Sequence, residues 1–101
     1  MSALRSRFQR DCLYLSQGLC PKETSGKEVT ALDYEIDLKE GEEAIDRLED
    51  DDIIQLADSI ANNNKFIGPL NLDNNNLSDI AALHIGRILR DGDNIKRLIL
   101  N

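Results

Sequence analysis

The sequence predicts an α/β solenoid, that is, a short curved parallel sheet with helices on its outer side and a helical cap at the N-terminus. Within residues 67–89 the apolar period changes from 2 to 3.6, as expected when a strand is followed by a helix. The apolar residues at positions 67, 70 and 72 recur at positions 95, 98 and 100, and those at 48, 56 and 60 recur at 77, 85 and 89. A fixed period of about 20–30 residues is typical of stacked strand–helix units.

Residues 1–29 are predicted to form the cap. An apolar stripe with steps of four, four, three and four predicts a helix over residues 3–17, and Gly18 and Pro21 are expected to end it. The stripe consists of Leu4, Phe8, Cys12, Leu15 and Leu19. We expect this helix to cover the open end of the first unit. A membrane-surface or target-binding role is an alternative, although the polar side of the helix mixes Asp11 with arginines.

Residues 30–66 are predicted to form a degenerate first unit with an acidic insertion. Leu32, Tyr34, Ile36 and Leu38 alternate with polar residues, which predicts a strand near 34–38. The segment "KEGEEAI" then intervenes before a helix that we place at 51–62.

Residues 67–94 are predicted to form a regular unit, and residues 95–101 add the strand of a third. A strand at 69–72 sends Leu70 and Leu72 to the core and Asn71 and Asp73 to the opposite face. The Asn75 amide can then satisfy backbone groups in the turn. Asp79 begins a helix over 79–90, whose inward side we assign to Leu83, Ile85, Ile88 and Leu89. The third strand is expected at 97–100, and all three strands should lie parallel and adjacent.

Residues 46–101 resemble leucine-rich repeats of the ribonuclease-inhibitor type, whose units read L-x-x-L-x-L-x-x-N-x-L followed by a helix. At the corresponding position of the first unit Asp46 replaces the asparagine. The resemblance implies a non-catalytic protein–protein interaction module that binds its partner on the concave face of the strands. That face would present Glu35, Asp37, Lys39, Pro69, Asn71, Asp73, Arg97 and Ile99.

The resemblance also leaves two other interpretations open. One branch of similar proteins activates the small GTPase Ran, so a GTPase regulator is an alternative function. The last residues, "RLILN", form a strand without a following helix, which suggests a truncated product, an isoform or the N-terminal capping fragment of a longer scaffold. In that case we expect self-association through the exposed C-terminal strand.

The charge distribution favours a basic protein partner and argues against nucleic acid. The chain has a net charge of -7, and residues 28–58 contain thirteen acidic and two basic side chains. Such a segment repels phosphate backbones and attracts cations. The alternative is that these acidic residues only solvate a surface and begin a helix.

The residues indicate neither catalysis nor a cofactor. Cys12 and Cys20 are not spaced as a metal or disulfide motif, and His84 is the only histidine, so we expect two reduced thiols and no metal. The segment at 73–84 begins like a calcium loop but has Ser78 and His84 where Gly and Glu are needed. No apolar run reaches the roughly 18 residues of a membrane span. We therefore expect an intracellular protein, in the cytoplasm or nucleus, that does not bind membranes.

Overall fold

A computed structural model describes residues 3–36, 47–61, 63, 65–91 and 98–99. These residues form an α/β domain with three helices and a parallel sheet in the strand order β1-β2-β3. In chain order the elements are α1 (Ala3–Ser16), β1 (Leu32–Asp33), α2 (Asp50–Ala61), β2 (Leu70–Asn71), α3 (Asp79–Asp91) and β3 (Leu98–Ile99). The predicted α/β class and the order of the elements are confirmed.

The register of β2 with β3 reproduces the period seen in the sequence. Leu70 is the partner of Leu98 and Asn71 is the partner of Ile99. Between β1 and β2 the partners are Leu32 and Leu70, and this wider separation along the chain reflects a longer connection. Each connection contains a helix, as parallel neighbours require. All pairs are parallel, so the predicted strand direction is confirmed.

The first strand, Leu32–Asp33, ends before the predicted start at 34, so the predicted bounds of 34–38 are wrong for the residues that the structure describes. The Leu32 amide donates to the Pro69 carbonyl and the Tyr34 amide donates to the Asn71 carbonyl, both at 2.9 Å. The side-chain alternation extends beyond the paired residues, because Leu32, Tyr34 and Ile36 are all buried. The predicted alternation is therefore confirmed for these three positions, while Leu38 lies outside the described residues.

Local signals account for the helix boundaries. After α1, the Gly18 amide donates to the Leu15 carbonyl at 3.0 Å and the Leu19 amide donates to the Tyr14 carbonyl at 3.1 Å. This is a Schellman motif, and Gly18 adopts the positive φ of 76° that the motif needs. Helices α2 and α3 both begin at an aspartate, Asp50 and Asp79. The helix starts agree with the predicted starts at 3, 51 and 79 or differ from them by a single position.

The core consists of apolar side chains from all three helices and from β1 and β2. On α1, four of the five predicted apolar positions are buried, but Leu19 follows the helix and is 38% exposed. On α3, Ala81, Ile85 and Ile88 are buried, whereas Leu83 is 74% exposed, and the side chain of Leu89 lies outside the description. The prediction for Leu19 is wrong because the Schellman turn redirects the chain before this residue. The prediction for Leu83 is wrong because position 83 lies opposite the buried side of α3.

Helix α1 packs on one end of the described fold. Phe8 contacts Tyr34 edge to face, with 5.2 Å between the ring centroids. The Tyr34 hydroxyl donates to Asp11 Oδ2 at 2.7 Å, and both residues are buried. From the same helix, the Arg5 guanidinium lies 3.2 Å from the Asp52 carboxylate of α2. Helix α1 is therefore held by an aromatic contact and a hydrogen bond to Tyr34 and by an ion pair to α2.

Asn75 connects the turn after β2 with the chain after β1 and before α2 through backbone groups. Its Nδ2 donates to the carbonyls of Tyr34 at 2.8 Å and of Leu72 and Asp73 at 3.1 Å each. Its Oδ1 accepts a hydrogen bond from the Leu48 amide at 2.7 Å. The predicted double role of this amide as donor and acceptor is confirmed.

Candidate functional site

The candidate site is the side of β1 and β2 that faces away from the core. Because side chains alternate along a strand, the residues between the buried ones point to this side. Asp33 and Glu35 are exposed, and Asn71 and Asp73 are half-buried. Asp33 is the register partner of Asn71, which brings the two strands' outward residues side by side. We call the set Asp33, Glu35, Asn71 and Asp73 the open face.

The structure brings together some of the predicted binding residues. Glu35, Asn71 and Asp73 belong to the open face, and Pro69 is half-buried just before β2. The backbone of Ile99 lies beside that of Asn71. Asp37, Lys39 and Arg97 lie outside the described residues.

Asp33 was not among the predicted binding residues. It was missed because the first strand was placed too late in the chain, so that its outward positions began at Glu35. The alternation of Leu32, Asp33 and Tyr34 in the sequence is the signal that could have identified it.

The same side-chain turn occurs at the two partner positions of the open face. Asp33 Oδ1 accepts a hydrogen bond from the Glu35 amide at 3.1 Å, and Asn71 Oδ1 accepts one from the Asp73 amide at 3.0 Å. In each case the side chain bonds the backbone two positions later, which is an Asx turn. These bonds fix the orientation of Asp33 and Asn71 and therefore limit the conformational entropy that binding would cost.

The open face is acidic. Three of its four residues carry carboxylates, and the fourth, Asn71, is neutral. A cation lies at its border, where Arg7 Nη2 donates to the Asp33 carbonyl at 2.6 Å and the guanidinium lies 5.7 Å from the centroid of the Tyr34 ring. Because this guanidinium is held by a backbone carbonyl and an aromatic ring, it leaves the carboxylates of the face available to a cationic ligand.

Two of the acidic residues at the start of α2, Asp50 and Asp52, have partners within the fold. Asp52 Oδ2 accepts a hydrogen bond from the Glu49 amide at 2.8 Å, as in a capping box, and Asp52 also pairs with Arg5. Asp50 accepts hydrogen bonds from the hydroxyl and the amide of Ser78, and these bonds hold the pKa of its carboxyl below the ordinary 3.8. This part of the acidic segment therefore begins a helix. This agrees with the alternative that the acidic residues only solvate a surface and begin a helix.

The two thiols are free in the structure. Cys12 is buried between α1 and α2, and burial raises the pKa of its thiol to about 12. A thiol with such a pKa is protonated at neutral pH and a poor nucleophile. Cys20 is half-buried in the loop after α1.

Neither a metal-ligand cluster nor a membrane-spanning helix occurs in the part of the chain that the structure describes. Among those residues, no group of three or more His, Cys, Asp or Glu side chains is arranged to hold a metal ion. No helix within the described ranges has the length and apolar character needed to cross a membrane.

Comparison of the chain with models of known protein families, with curated proteins and with solved structures finds no significant match.

Proposed function

We propose that the chain is a non-catalytic protein-binding module of the leucine-rich-repeat type, and that its open face binds a basic segment of a partner protein. The observation that carries this proposal is the register of the sheet. Pairing of Leu70 with Leu98 and of Asn71 with Ile99 places residues one period apart side by side, which is how a repeat builds a continuous binding face.

The contacts between successive units support the repeat interpretation. Asn75 bonds the backbone at Tyr34 and Leu48, and Ser78 bonds Asp50, which is 28 residues earlier. Arg87 Nη2 pairs at 2.9 Å with Asp58, which lies 29 residues earlier on the neighbouring helix. Side chains one period apart therefore meet, as they do where structural repeats stack.

The charge of the open face supports the choice of a basic partner. Asp33, Glu35 and Asp73 lie on or directly after two adjacent strands, and a lysine or arginine side chain could approach all three carboxylates. Their attraction extends over about 8 Å at physiological salt. Binding should therefore weaken as salt concentration rises.

A titration with a lysine-rich peptide tests the proposal. The ¹⁵N-labelled chain is titrated with an octalysine peptide, and amide shifts are followed by NMR. We expect the shifts to concentrate at the open face. The test variant combines Asp33→Asn, Glu35→Gln and Asp73→Asn, which preserves side-chain size and the Asx turn at position 33.

The matched control removes three carboxylates from exposed positions outside the open face. It combines Glu49→Gln, Asp51→Asn and Asp58→Asn, and thus changes the net charge by the same amount. We expect the test variant to lose at least about tenfold in affinity and the control to lose much less, since local charge pairs set affinity. Equal losses in both variants, or shifts concentrated at the start of α2, would contradict the proposal.

A further inference from the structure

A cleft of about 140 Å³ lies between α1, the connection from α1 to β1, and β1 itself. The charged residues of its lining are Arg7, Arg10, Asp11, Glu23 and Asp33. Guanidinium and carboxyl groups therefore nearly balance each other in the cleft, and a ligand with a full charge of either sign would meet like charges there. This lining favours a neutral polar group.

Two polar atoms of the lining have no hydrogen-bond partner in the described part of the chain. Asp11 is 2% exposed, and its Oδ2 accepts a hydrogen bond from Tyr34, whereas no described group donates to its Oδ1. Arg10 Nε is also buried and finds no acceptor among the described residues. The two atoms lie 3.8 Å apart, which is too far for a hydrogen bond between them. A buried acceptor and a buried donor thus stand side by side, and buried polar groups ordinarily have partners.

We propose that this cleft binds a primary carboxamide group. The carbonyl oxygen of the carboxamide accepts a hydrogen bond from Arg10 Nε, and its NH₂ group donates to Asp11 Oδ1. A primary carboxamide carries its oxygen and one N–H on the same side, so one group can serve both atoms. The volume of about 140 Å³ is several times the roughly 30 Å³ that a water molecule occupies in the liquid, so the cleft has room for such a group.

Two sources can offer a primary carboxamide: a small free amide, and the side chain of an asparagine or glutamine on a partner protein. The cleft adjoins the open face, because Asp33 belongs to both. A side chain of a partner bound at the open face could therefore enter the cleft. The second source rests on the proposed function, whereas the first does not.

Titration of the ¹⁵N-labelled chain with propionamide at pH 7 tests the site. The NMR readouts are the side-chain Nε–H resonance of Arg10 and the backbone amides of Val29 and Ala31, which also line the cleft. We expect saturable shifts with a dissociation constant of the order of millimolar, since so small a ligand can gain little binding free energy.

Two ligands of similar size serve as controls. N-methylacetamide is an isomer of propionamide, but the N–H and C=O of its trans amide point to opposite sides, so it should bind at least about tenfold more weakly. Propionate has the shape of propionamide but replaces the NH₂ donor by a charged oxygen that Asp11 repels, so it should also bind more weakly.

The test variant is Arg10→Lys, which keeps the positive charge and removes Nε. The Arg10 side chain is 38% exposed, so the variant should fold, and it should weaken propionamide binding at least about tenfold. Arg87→Lys makes the same replacement on α3, outside the cleft, and should leave binding unchanged. The proposal would be overturned by an absence of saturable shifts, by propionate or N-methylacetamide binding as tightly as propionamide, or by binding that survives Arg10→Lys.

A lysine-rich peptide with one central glutamine distinguishes the two sources. If it binds more tightly than the same peptide with methionine in that position, and shifts the Arg10 Nε–H resonance, the carboxamide comes from the partner. Equal affinities of the two peptides, with propionamide still bound, assign the cleft to a small free amide. If neither peptide binds but propionamide does, the open face fails as a binding site while the cleft stands.

Discussion

At the scale of single residues, Asn75 is the side chain that joins the most backbone segments, because it bonds the chain after β1, before α2 and after β2. Asn75→Asp keeps its shape but replaces the Nδ2 donor by a carboxylate oxygen facing three carbonyls. We predict a loss of about 2–4 kcal/mol in the free energy of unfolding, because several part-buried groups lose their partner at once. Urea denaturation measures this. The exposed Asn76→Asp should change stability by less than about 0.5 kcal/mol, and equal effects would refute the role of Asn75.

Asn71 and Leu72 are adjacent in the chain, but aspartate should be tolerated at Asn71 and strongly destabilising at Leu72. Leu72 is 0% exposed, so Leu72→Asp buries a carboxylate without a partner and should destabilise the fold by at least about 3 kcal/mol. Asn71→Asp should be tolerated to within about 1 kcal/mol, because Asp33 makes the equivalent Asx turn with a carboxylate. Similar urea midpoints for the two variants would show that the assigned side-chain directions are wrong.

Sequence patterns predicted contacts within a segment and missed contacts between segments that are far apart in the chain. The bonds of Asn75 to Leu72 and Asp73 in its own turn followed from its place after the strand, whereas its bonds to Tyr34 and Leu48 did not. Asn63 was missed, although it is buried and its Nδ2 donates to the carbonyls of Leu15 and Leu19. Both partners belong to the N-terminal cap, and no periodicity in the sequence links them to Asn63.

At the scale of elements, the contact of α1 with β1 depends on pH through Asp11. Burial raises the pKa of this carboxyl, and the hydrogen bond from Tyr34 opposes that rise. Because the folded pKa lies above the unfolded one, the stability contribution of Asp11 is complete below the ordinary value of 3.8 and is lost as pH rises through the folded pKa. The fold should therefore be helped by protonation of this group.

Tyr34→Phe tests that contact. It removes the hydroxyl donor, so the pKa of Asp11 should rise further and the buried carboxylate should lose a partner. We predict a destabilisation of about 1–3 kcal/mol at pH 7 and a smaller one at pH 4. Urea denaturation at both pH values, with Tyr14→Phe as a control, measures the difference. A loss that is independent of pH would mean that Asp11 is not the responsible partner.

Two glycines should respond oppositely to alanine. At Gly68, which leads into β2, a Cβ would overlap the carbonyl oxygen of Thr30, which leads into β1. Gly68→Ala should therefore destabilise the fold by about 2 kcal/mol or more. Gly86→Ala within α3 should stabilise it by about 0.5–1 kcal/mol, because alanine is the better helix former. Thermal unfolding gives both values. A tolerated Gly68→Ala would argue against this close approach of the two strands.

At the scale of the whole molecule, the period in the sequence predicted the α/β class and the parallel, adjacent strands, and the register of β2 with β3 has the same period of 28 residues. The position of β1 was predicted less well, because its connection to β2 is longer than the period. For the candidate site, alternation identified Glu35, Asn71 and Asp73, but the Asx turns and the contact of Arg7 with Asp33 depend on the folded arrangement. Leu83 was misassigned for a related reason, since the orientation of a helix is set by its neighbours.

The central claim is that β1, β2 and β3 lie parallel and adjacent, with β2 and β3 paired one period apart, and cross-strand NOEs in the labelled chain test it most directly. We predict a parallel pattern that joins Leu32 to Leu70 and Leu70 to Leu98. An antiparallel pattern between any two of these strands, or pairing of β2 with β3 in a register that does not join Leu70 to Leu98, would contradict the stacking of units and the open face derived from it.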